Sequence, residues 1–109
     1  MSVTLADALK YLGYDDLDDE MINYNVRREL STAHQTVLGA VGDSVSDYLP
    51  DDPRVDELEL IYLEDLHSNR GVTAKVSGAT RRLVADMELQ LRLELRRAIE
   101  AAASEEANP

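Results

Sequence analysis

The side chains in this sequence best equipped for chemistry are two histidines, His34 and His67, and an acidic trio, Glu57, Glu64 and Asp65. Acidic residues grouped along one helix are the raw material of a magnesium site for phosphate hydrolysis. Such a site needs paired acidic motifs on two facing helices, and the later helix offers only Asp86, Glu88 and Glu94. A zinc site draws on Cys or His; with no Cys and two His, the metal would have to borrow carboxylates from distant segments. Ser44, Ser46 and Ser77 have no neighbouring base or oxyanion elbow, and no glycine-rich phosphate loop is present. The sequence therefore predicts a non-enzymatic chain with no metal and no cofactor, and the carboxylates read as solvated helix faces.

The elements that carry these residues follow from composition and periodicity. The chain has 109 residues with no Phe or Trp and five Tyr, so its core must come from Leu, Val, Ile, Met and Ala, the palette of packed helices. A domain this small buries a modest core and gains stability from partners. The absence of Cys excludes disulfides. No stretch approaches the roughly 20 apolar residues of a membrane span, and the N-terminus lacks the basic and apolar regions of a signal peptide, so a soluble, unprocessed protein is expected.

Charge is divided unevenly. Residues 1–69 hold sixteen acidic and four basic side chains, whereas 70–109 hold six acidic and seven basic ones. The net charge of −11 argues against ordinary binding to a phosphate backbone, which needs Lys and Arg to release counterions. Two electrostatically unlike halves suit an assembly subunit whose copies set acidic against basic surface.

Helix signals are strong. Thr4 with Asp7 forms a variant of the capping box before Leu5, Leu9 and Leu12, and Gly13 ends that helix. Asp15, Asp16, Asp18, Asp19 and Glu20 precede a periodic run from Met21 through Val26, Leu30, Ala33 and Val37 to Val41. The run predicts a helix over about 18–41, with the carboxylates at its positive end. A polar connector over 43–52 leads to Asp52-Pro53, a helix-start signal, and a third long helix over 53–68 with Val55, Leu58, Ile61, Tyr62 and Leu66 on one stripe. After a loop over 71–78, Ser77 is placed to cap a long final helix. That helix carries Leu83, Val84, Met87, Leu91, Leu95 and Ile99 on one stripe, Leu89 and Leu93 on another, and Arg81, Arg82, Arg92, Arg96 and Arg97. The expected architecture is an all-α bundle of about four helices over residues 1–100, with a flexible tail over 101–109.

The order of a short helix, an acidic turn, a long helix, Asp51-Asp52-Pro53-Arg54, a helix closing at His67-Ser68-Asn69-Arg70-Gly71 and a final helix opening near Arg81-Arg82-Leu83-Val84 resembles the phage head–tail connector (adaptor) proteins of the HK97 type, over residues 3 to 97. The resemblance implies a structural virion protein at the head–tail junction, assembled in the bacterial host cytoplasm. It implies a homo-oligomeric ring, dodecameric in the family, beneath the portal protein. That ring extends the channel through which phage DNA passes without sequence-specific contact, and gives the stopper or tail-completion protein its platform. It further implies that the C-terminal helix and tail engage partners, through Arg92, Arg96, Arg97, Ile99, Ala102, Glu105 and Pro109. Two other classes stay open on the residues themselves: a small dimeric helical regulator or antitoxin-like module, and an all-α magnesium-dependent nucleotide pyrophosphohydrolase.

Overall fold

A computed structural model describes residues 3–14, 19–68 and 78–107. Among these the chain is an all-α bundle of five helices with no strand: α1 (Leu5–Tyr11), α2 (Glu20–Val41), α3 (Val45–Tyr48), α4 (Pro53–Ser68) and α5 (Gly78–Ala107). No helix among the described residues is long and apolar enough to cross a membrane.

Local chemistry sets the helix ends. The Thr4 hydroxyl accepts the Asp7 amide while the Asp7 carboxylate accepts the Thr4 amide, closing the expected box. At the other end of α1, Gly13 takes a left-handed φ of 91°, and the amides of Gly13 and Tyr14 return to the carbonyls of Lys10 and Leu9. α2 starts two residues later than the periodicity predicts, because Asp19 is spent as the cap: its side chain accepts the amides of Met21 and Ile22. Asp15, Asp16 and Asp18 lie outside the described residues.

The connector 43–52 contains α3, a single turn that the sequence reading takes as irregular chain. Four residues are too few to show a period, yet Val45 is fully buried and anchors the turn. Asp52 opens α4 as expected. Its Oδ1 accepts the Arg54 amide at 3.0 Å, and its carboxylate also binds the Arg54 guanidinium, with Oδ2 2.6 Å from Nη2. That guanidinium extends across to Glu94 on α5.

These bonds hold the Asp52 carboxyl below its ordinary value, chiefly through the Arg54 side chain. A carboxyl depressed in the folded state stabilises the fold above its unfolded pKa of about 4, and that contribution is lost as pH falls through the lower folded value. Asp52→Ala is therefore expected to cost about 1 kcal/mol at pH 7. Urea titrations should show the gap between variant and parent narrowing as pH drops below about 4.

The core divides into two clusters. Val3, Ala8, Leu9, Val26, Leu30, Ala33 and Leu63 join α1 to the first two-thirds of α2 and the second half of α4. Val37, Val41, Val45, Leu58, Leu91 and Leu95 join the end of α2, α3, the start of α4 and α5. Tyr62 packs against both. Polar pairs reinforce the α2–α4 contact. Glu59 is wholly buried with Oε1 2.8 Å from His34 Nδ1. The His67 ring holds Glu29 at Nδ1 and the Tyr14 hydroxyl at Nε2, each at 2.8 Å.

Gly42 ends α2 with φ 138°, and a Cβ there would sit 2.7 Å from Leu95 Cδ2. Glycine is favoured by the backbone conformation, which is rare for other residues; the group facing it on α5 is the end of a leucine side chain.

The final helix departs from expectation. The backbone of 101–107 continues α5 as helix to Ala107, where a fraying tail was expected, because the Ala-rich run 101–103 favours helix strongly. Asn108 and Pro109 lie outside the described residues, as does Ser77, the expected cap.

Candidate partner-binding surface on the C-terminal helix

α5 has 30 residues and spans about 45 Å at the helical rise. The molecule measures 54 × 32 × 18 Å, so this helix accounts for most of its length. The radius of gyration is 16.1 Å, against about 13 Å for a compact chain of this size. α5 meets the bundle through Val84, Met87, Leu91 and Leu95. From 96 to 106 no residue is buried, so the helix runs on for about 18 Å beyond its last core contact.

The side chains assigned to partners fall mainly on that extension. Arg96, Arg97 and Glu105 are exposed, Ile99 is 39% exposed and Ala102 is half-buried. Pro109 lies outside the described residues. Arg92 differs from the others: Nη1 donates to the Ala40 carbonyl at 3.1 Å, tying α5 to the end of α2. Across its length α5 holds five arginines and six carboxylates, so it is not the net basic element expected from the C-terminal third; Arg70 and Lys75 lie before it. Its cations are also partly engaged by their own chain rather than held wholly for a neighbour.

The apolar side chains of α5 sort onto two sides. Leu91 and Leu95 enter the core, whereas Leu89 and Leu93 are 48% and 43% exposed on the opposite side of the helix, about 160° away. The helix therefore has one apolar stripe used by the fold and one that the fold leaves in solvent.

An open cleft of about 440 Å³ runs between α4 and α5, with Ile61, Tyr62 and Val84 among its walls and Asp65, Arg81 and Glu88 among its charged groups. The Tyr62 hydroxyl donates to Glu88 Oε1 at 2.5 Å. Burial, and then this carboxylate, push the Tyr62 phenol up to about 12, so it stays a hydrogen-bond donor across the physiological range.

Glu57 and Glu64 share one side of α4 near Tyr11, and Asp65 stands apart from them. Glu64 is exposed and accepts the Tyr11 hydroxyl at 3.0 Å, Glu57 is exposed, and Asp65 lies at the cleft. Among the described residues no group of three or more His, Asp or Glu side chains stands where it could hold a metal ion. The cross-helix links His34–Glu59, His67–Glu29 and Arg54–Glu94 escaped sequence reasoning, since nothing in one-dimensional spacing pairs residues 25 to 40 apart. Compared with protein-family models, curated proteins and solved structures, the chain has no match.

Proposed function

We propose that this chain is a structural assembly subunit of a phage virion, a head–tail connector that forms a ring beneath the portal and gives the stopper or tail its platform. The observation that carries the reading is the extension of α5 past the core. A helical extension that presents Arg96, Arg97 and Ile99 to solvent and, past Leu95, buries no residue in its own chain is suited to seating against another subunit. The helix order read from the sequence supports it, and so does the elongated shape, which is ordinary for a subunit completed by neighbours and unusual for a small free-standing domain. The net charge of −11 suits a channel lining that repels a passing polyanion and offers few places for it to stick.

Reversing Arg92, Arg96 and Arg97 to Glu tests the reading. All three are exposed on α5, so the helical circular dichroism should be preserved, although the Arg92 bond to Ala40 is lost. Co-sedimentation with portal-bearing heads should fall sharply, and ring particles seen in negative stain with portal protein should disappear. Unchanged co-sedimentation would remove the basis for placing this surface against the portal.

A further inference from the structure

The exposed stripe of α5 carries a pattern that the fold itself does not use. Arg82, Asp86, Leu89, Leu93, Arg96 and Glu100 follow one another at spacings of four, three, four, three and four residues, the spacing of a coiled-coil seam. All six are exposed, and they lie on the side of α5 opposite the core-facing Leu91 and Leu95. Among the described residues none of the four charged members is engaged in an ion pair of this chain.

The six positions are also palindromic about residue 91. Laid antiparallel on a copy of itself, the stripe sets Leu89 against Leu93 and Leu93 against Leu89. Outside them, Asp86 meets Arg96 on both sides, and at the ends Arg82 meets Glu100 on both sides. Each layer is either leucine on leucine or cation on anion. A parallel pairing would instead set every charge against its like. Charge placement of this kind selects orientation and partner in helix pairs, and a two-fold contact must be complementary to itself in this way. The partner helix would approach from the side opposite the core, so the bundle does not obstruct it.

We propose that two copies of this chain associate through an antiparallel, two-fold pairing of their α5 helices along this seam. The contact does not rest on the connector reading, although both draw on Arg96. Burial of four half-exposed leucines at the centre, flanked by four ion pairs, gives a specific but modest interface.

Sedimentation velocity over a range of micromolar concentrations provides the test, with circular dichroism confirming that each variant is folded. The parent should sediment as a dimer or as a larger species containing it. Asp86→Arg and Arg96→Asp should each weaken self-association tenfold or more, because each places like charges in two layers of the pair. Mixing these two variants should restore association, since the arginines at positions 86 and 96 of one chain then face the aspartates at positions 96 and 86 of the other. The double variant Asp86→Arg/Arg96→Asp should also self-associate, which an antiparallel seam allows and a parallel one does not. A parent that stays monomeric, single reversals that assemble like the parent, or a mixture and double variant that remain apart would each overturn the proposal.

Discussion

Replacing His34 with Ala is expected to destabilise the protein by about 3 kcal/mol, measured by urea unfolding at pH 7. Glu59 is the reason. Its side chain is buried, Oε1 rests on His34 Nδ1 at 2.8 Å, and Oε2 is buried with no hydrogen-bond partner. Removing the imidazole strands a carboxylate already served on one oxygen only, and an uncompensated buried charge costs far more than a lost surface pair. His34 itself is partly open to solvent, which places the cost at the lower end of the range for breaking a buried pair. The comparison that isolates the cause is the double change His34→Leu/Glu59→Met. Apolar side chains of similar size satisfy the site without a charge, so this variant should be about as stable as the parent or more so. If His34→Ala and the double variant lose the same stability, packing volume and not the buried carboxylate sets the cost.

Leu91→Ala should cost about 3 kcal/mol and should act chiefly on one helix. Leu91 is fully buried and lies in the cluster that fixes α5 to the end of α2, α3 and the start of α4. Only Leu95 among its described α5 neighbours is buried as well, with Val84 and Met87 partly so. A long helix held by so few apolar anchors has little redundancy, and the leucine-sized void comes with lost transfer energy. The equivalent truncation Leu89→Ala, on the solvent side of the same helix, should change stability by less than about 0.5 kcal/mol when measured at a concentration where the chain is monomeric. Comparable losses at the two positions would mean that α5 is anchored through a different face.

Several features of the fold are legible in the sequence because they are local. Thr4 with Asp7, Asp52 before Pro53, and Gly42 after a long apolar period each announce a helix end within a few residues, and the structure places α1, α2 and α4 accordingly. α3 is hidden because one turn has no period. The end of α5 departs from expectation because the helix propensity of alanine outweighs a polar composition of low hydrophobicity. The two stripes on α5 are visible as a pattern, but periodicity does not say which of them the bundle consumes; only the placement of Leu91 and Leu95 against α2, α3 and α4 decides that. Glu59 carries no signal in the sequence, since a glutamate on a helix is nearly always solvated. Its burial depends on His34 arriving from α2.

The division of the core has a consequence for how this chain comes apart. No described residue of α5 belongs to the cluster that Val3, Ala8, Leu9 and Leu63 share with α2, so α5 can leave without opening that cluster. Amide protons of α5 should then exchange with solvent through a partial opening, at a lower free energy than those near Val26 and Leu30, which wait for global unfolding. The same order read in reverse makes α1, α2 and α4 the part that forms from nearby segments first, with the long helix docking onto a surface already made. The protein would thus carry its most outward-reaching element on its most readily released packing contact.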